Sequence, residues 1–106
     1  MLWFDFPALC EGPRSVADYI ALAKSSPEVI LASVPVFDGS TDDAARRFIS
    51  LIDEFYDRHV KLVISAAAPI TDLYQGERLQ AEFSRTQSRL IEMQSEAYLE
   101  LPHRVD

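Results

Sequence analysis

The hydrophobic pattern is clearest over residues 28–68, and the rest of the chain is arranged around that stretch. It opens with EVILASVPVF and closes with KLVISAAAP, two short apolar runs rich in Val and Ile that read as strands. The piece between them, DGSTDDAARRFISLIDEFYDRHV, is long and amphipathic. Ala45, Phe48, Ile49, Ile52, Phe55 and Tyr56 recur every three or four residues, as the buried stripe of a helix does. Strand, helix and strand with tight joints form the unit that sets two parallel strands side by side beneath a crossing helix. Such a crossover is almost always right-handed. Residues 29–34 are apolar at nearly every position, which predicts a strand covered on both faces.

Upstream, LWFDF at residues 2–6 predicts a short buried strand, interrupted by Asp5. Asp5 reads as an end-of-strand acid that caps the following turn, set against the alternative of a functional carboxylate. Residues 7–10 suit one helical turn with Pro7 at its start, and Gly12 and Pro13 break it. Residues 15–24 predict a helix with Ser15 as N-cap and Asp18 answering it three positions on. Val16, Tyr19, Ile20 and Ala23 mark its core face, and Lys24 sits at the negative end of its dipole. Ser40 or Thr41 is expected to cap the long helix. Thr71 is expected to cap a short turn. Residues 78–95 predict a last helix with Leu79, Phe83, Leu90 and Met93 inward, and the tail LPHRVD reads as frayed. The expected architecture is a single α/β domain over residues 1–106. It has a three-stranded, mainly parallel sheet, crossover helices and a C-terminal helix.

Composition narrows the class. Of 106 residues, 48% are hydrophobic and 25% charged, the balance of a folded domain with one core. The net charge of -7 disfavours nucleic acid as a partner. A single cysteine, Cys10, excludes an internal disulfide and suits a reducing compartment. No apolar run approaches the roughly 20 residues that span a bilayer. The start, MLWFDFPALCEGPR, lacks the basic region of a secretory signal.

Candidate chemistry is sparse. The three glycines, Gly12, Gly39 and Gly76, form neither a Walker A loop nor a dinucleotide fingerprint. LIDEF at residues 51–55 imitates a Walker B motif, but a helical period runs through it. A magnesium-holding acid belongs at the end of a strand, so Asp53 and Glu54 read as a solvated helix face. His59 and His103 read as a surface joint and a loose tail, with no zinc spacing around them. Arg46 and Arg47 lie near a helix start, where the dipole disfavours them. Arg85 and Arg89, four residues apart, point the same way. A paired guanidinium face can grip a carboxylate or a phosphate, and both readings stay open: structural pairing with nearby acids, or contact with a phosphate. Asp5, Asp38, Asp72 and Arg89 stand near strand or helix ends without forming a recognisable catalytic set.

Several segments together resemble one family. They are WFDFPALCEGPRSVADYIALA at 3–23, VPVF at 34–37 and AARRFISLIDEFYDRHVKLVISAAAP at 44–69, with LYQGERL at 73–79 and RTQSRLIEMQSEAYL at 85–99. These resemble the C-terminal part of the ZapE/Afg-one-like ATPases, AAA-type P-loop enzymes of bacteria and mitochondria. The resemblance covers nearly the whole chain. It implies that the Walker A loop, the true Walker B strand, sensor one and the arginine finger lie upstream of these segments. The chain is then expected to be a C-terminal accessory domain, inactive alone, with ATP and magnesium belonging to the full-length family. No catalytic residue carries over. A nucleotide contact from this region is expected from Arg85 or Arg89, both in the family-like RTQSRL. The implied partners are the upstream ATPase core, a homo-oligomer, and a protein client, in bacteria the division ring; in mitochondria the implied role is quality control of inner-membrane proteins. The implied location is the bacterial cytoplasm, or peripheral at the membrane. Two other readings stay open: a stand-alone acidic protein-interaction module and a small independent enzyme. An exposed apolar face is expected under either of the two non-enzyme readings.

Overall fold

The computed structural model describes residues 1–12 and 14–105; the break expected at Pro13 lies outside the described residues. In chain order the elements are β1 (Leu2–Asp5), α1 (Phe6–Cys10), α2 (Val16–Ser25), β2 (Glu28–Val34), α3 (Asp42–Asp57) and β3 (Lys61–Ala66). A 3-10 turn (Ile70–Asp72), α4 (Gln80–Glu92) and α5 (Glu96–Leu99) follow. The sheet has the order β1-β2-β3, and both pairings are parallel. The expected α/β architecture is therefore the one observed.

Local signals place most boundaries. The Ser15 hydroxyl accepts from Asp18 N–H while Asp18 accepts from Ser15 N–H, a complete capping box at the head of α2. α3 ends with His59 in the left-handed region, at φ 57°. His59 N–H then bonds Tyr56 C=O, and Val60 N–H bonds Phe55 C=O, the paired closure that turns the chain straight into β3.

The core lies on one side of the sheet. Phe48 and Phe55 of α3 are fully buried, as the stripe predicts. Phe6, Phe37, Phe48 and Phe83 form a ring cluster with centroids 5.6–6.2 Å apart, so α1, the loop after β2, α3 and α4 share one aromatic centre. The loop before α3 is pinned to the loop before α4 by a Phe37–Tyr74 bridge. A Cβ on Gly76 would lie 2.6 Å from the Tyr74 hydroxyl and 2.9 Å from Gly39 Cα, so only glycine fits that crossing.

Six expectations need correction. The strand expected to be buried over 2–6 is β1, in which Leu2, Trp3 and Asp5 are exposed and only Phe4 is partly covered, because one face of this edge strand has no covering layer. Phe6, the buried residue, already belongs to α1. Val16 is half exposed, so the core face of α2 begins one turn later at Tyr19. Thr41 stands at the N-cap of α3, but neither it nor Ser40 makes a side-chain cap; the Ser40 hydroxyl instead donates to Asp38 at 2.6 Å. Thr71 lies inside the 3-10 turn, whose cap position is Pro69. The helix read over 78–95 starts at Gln80 and stops at Glu92, and Ser95 caps the separate α5 by accepting from Tyr98 N–H. The tail is tied down rather than frayed. His103 Nε2 meets Ala23 C=O at 2.6 Å, Arg104 N–H donates to Arg58 C=O at 2.9 Å, and Lys61 Nζ donates to Leu101 C=O at 2.6 Å.

Candidate functional site

The Walker-like LIDEF segment lies within α3, not at a strand end. Its Leu51, Ile52 and Phe55 are buried in the core, which leaves Asp53 and Glu54 on the outer side. Asp53 is nonetheless not a solvated acid. Arg89 hydrogen-bonds and ion-pairs with it, and Arg85 Nη2 approaches it at 3.8 Å. Glu54 pairs with Arg58 one turn on, at 3.8 Å. The expectation of a solvated face missed this, because the partners come from a helix about thirty residues later. Arg89 also lies over the Tyr56 ring at 4.9 Å, and the Tyr56 hydroxyl donates to Glu92 at 2.5 Å. The result is a polar clamp between α3 and α4. Within it Arg89 is mostly covered, while the Arg85 side chain is 58% exposed.

The described residues do not fit a magnesium-nucleotide site. The two acids of LIDEF are both engaged by arginines, and no glycine-rich backbone cradle faces them. Among the described residues there is no group of three or more His, Cys, Asp or Glu placed to hold a metal.

The remaining candidates are dispersed. Asp5 occupies the N-cap of α1 without a side-chain cap bond, which corrects its expected capping role. Asp38 accepts from both the amide and the hydroxyl of Ser40, and these bonds lower its pKa. Its chemistry is that of a turn. Arg47 donates to Cys10 C=O at 3.4 Å, joining α3 to the end of α1. His59 Nδ1 meets Pro102 C=O at 3.0 Å. His59 and His103 therefore both hold the C-terminal segment through a ring nitrogen facing a carbonyl, which requires a proton on that nitrogen. Cys10 is buried, and burial pushes its thiol up to about 12. A thiol so shifted is neither a nucleophile nor a ready metal ligand.

One surface stands out as unfinished. Trp3, Ile30 and Val63 lie directly opposite one another across β1, β2 and β3. They project from the sheet face opposite to that of Val29 and Leu31, which are buried. Trp3 is 60% exposed, Val63 is 57% exposed and Ile30 is half-buried. The expectation that β2 is covered on both faces is thus overturned: only the helical side is covered. A register shift between Leu31 and Val34, with Ser33 at φ 66°, returns Val34 to the covered side. The row could have been anticipated from the Trp3-Phe4 alternation, but the sequence alone does not say which alternate set the helices cover.

The family model described as AFG1-like ATPase matches residues 1–102. The chain is 54% identical over 99 residues to the cell division protein ZapE of Escherichia coli K12, a match covering 93% of this chain and 26% of that protein. It is 37% identical over 89 residues to lactation elevated protein 1 homolog B of Danio rerio, covering 84% of this chain and 18% of that protein. The chain therefore spans about a quarter or less of the length of these relatives. No solved structure matches it. On the extent of the family match and the identity to ZapE, this chain belongs to the AFG1-like ATPase family.

Proposed function

We propose that this chain acts as a C-terminal accessory domain of an ATPase of its family, without ATP turnover of its own. The observation that carries the reading is the one-sided layering of the sheet. Parallel sheets occur almost only with both faces covered. Here one face carries α1 to α4, and the other presents Trp3, Ile30 and Val63, with Trp3 and Val63 exposed. A chain spanning 26% of its E. coli relative leaves ample polypeptide to supply a second layer. On this reading ATP and magnesium are bound by the unmatched part of the protein, and this chain packs on that part, supports its assembly or contacts its client. The name of the E. coli relative makes cell division the process we propose for the assembly, in the bacterial cytoplasm. Of Arg85 and Arg89, the two arginines proposed for a phosphate contact, Arg85 is the one to test first, because its side chain is the more exposed.

The test is ATP turnover. The 106-residue chain alone is expected to show none. Co-expressed with the unmatched part of the E. coli relative, it is expected to co-purify and to change the turnover of that part. Intrinsic turnover in the isolated chain, or failure to form a complex, overturns the reading; failure with a stable chain favours the free-standing interaction module instead. Arg85→Ala in an active complex then asks about phosphate. A raised KM for ATP supports the contact, and an unchanged KM removes it.

A further inference from the structure

We infer that the outer edge of β3 receives an extended strand from the unmatched part of a family-length protein, seated in the groove below α4. The inference rests on the accessory reading above and specifies where, and through what kind of element, contact is made.

The backbone comes first. At the two ends of β3, Lys61 N–H donates to Pro27 C=O at 2.8 Å and Ala67 N–H donates to Val34 C=O at 2.9 Å. Backbone groups in a parallel strand alternate in direction, so residues 61, 63, 65 and 67 face β2. Leu62, Ile64 and Ala66 therefore turn their N–H and C=O groups to the open side. No strand among the described residues lies there, and no other described backbone or side chain bonds to these groups. Edges of this kind are normally blunted by charge, proline or cover, yet KLVISA carries a single charge, at its first residue.

The same three residues, Leu62, Ile64 and Ala66, line an apolar groove of about 240 Å3, closed above by Ile70, Leu90 and Met93. That is below the roughly 300 Å3 at which small-molecule sites begin. It suits the alternate side chains of one added strand. The topology leaves the groove open. α2 joins β1 to β2, α3 joins β2 to β3, and α4 follows β3 and packs on α3. This chain does not itself fill the place beside β3 and beneath α4, because after α4 it runs into α5 and a tail that returns to Arg58 and Ala23. That position is the groove. A second copy of the chain is the disfavoured occupant, because each copy carries a net charge of -7.

Amide hydrogen exchange tests this on the isolated chain and on its complex with the unmatched part of the E. coli relative. In the chain alone, the amides of Leu62, Ile64 and Ala66 are expected to exchange fast and those of Val63 and Ser65 slowly. In the complex, the three outward amides are expected to slow by at least about tenfold. A complex in which they stay fast overturns the edge assignment and leaves the accessory reading standing. Absence of any complex overturns both. Slow outward amides in the chain alone, with a dimer mass by sedimentation, would replace the proposed strand with a second copy. Ala66→Pro is the matching variant. Ala66 is exposed and its N–H points outward, so proline there is tolerated by the fold but closes the edge. Its affinity for the partner is expected to fall at least about tenfold with the melting temperature held; unchanged affinity overturns the inference.

Discussion

The two faces of the sheet are built from the same three strands and differ in almost everything else. The helical side buries Val29, Leu31 and Val34 beneath the aromatic cluster of Phe6, Phe37, Phe48 and Phe83. The other side aligns Trp3, Ile30 and Val63 in a row, with no helix over it among α1 to α4. Each side carries apolar residues, although the second also bears Asp5, Glu28, Lys61 and Ser65 around its row. Hydrophobicity alone therefore does not mark a core, and what separates them is whether the chain itself supplies a covering layer. The first face holds this chain together; the second is free to hold it to something else.

The sharpest way to break that contrast is Phe48→Ala. It removes a ring from the centre of the cluster, and is expected to cost about 3–5 kcal/mol in urea unfolding. A near-neutral midpoint would mean that the covered side is not the stabilising one.

Alkaline pH acts on the same side. Burial pushes Cys10 up from 9.0 to about 12; burial first, then the neighbouring Cys10, pushes Tyr19 up from 10.0 to about 12. In the unfolded chain these groups lose their protons near their ordinary values, whereas the fold keeps them protonated. Their contribution to stability is therefore complete below about pH 9 and is lost as pH rises towards 12. Unfolding midpoints measured between pH 8 and 11 are expected to fall, and Cys10→Ala to flatten the fall.

The clamp between α3 and α4 gives a smaller effect. Arg89→Ala removes a mostly covered ion pair and a cation–π contact, an expected loss of about 1–2 kcal/mol. Arg85→Ala, at the exposed end of the same acid, is expected to cost no more than about 0.5 kcal/mol. Equal losses would show that the two arginines share Asp53 evenly.

The smallest effect belongs to the bare face. Val63→Glu is expected to change the stability of the isolated chain by less than about 0.5 kcal/mol, while lowering its affinity for the unmatched part of a relative. A large loss of stability would show that the row is part of this chain's own core. Trp3, the only tryptophan, reports the same contrast by its solvent-exposed emission.

Much of this was legible in the sequence because it is local. The 3.6-residue stripe of α3, the Ser15–Asp18 box and the apolar runs of β2 and β3 depend on neighbours within one element. So do the parallel order and the crossover, which follow from strand, helix and strand in succession. The largest misses involve distant partners, and the smaller ones are caps and helix ends. Asp53 and Arg89 are far apart in sequence, and the residues that hold the tail are farther still from it, so helical spacing could not reveal either contact. Thr41 stands where a cap was expected, yet the neighbouring Ser40 hydroxyl is taken by Asp38 and Thr41 itself makes no cap bond.

By itself the sequence determined the class of fold, the elements and their order, because periodicity and capping are written into consecutive residues. Its long idiosyncratic segments also determined the family. Only the tertiary structure decided which set of alternating strand residues is covered, that the arginines close on Asp53, and that β3 ends the sheet with a groove beside it. These are decided by packing between elements far apart in the chain, where burial of one face fixes the exposure of the other.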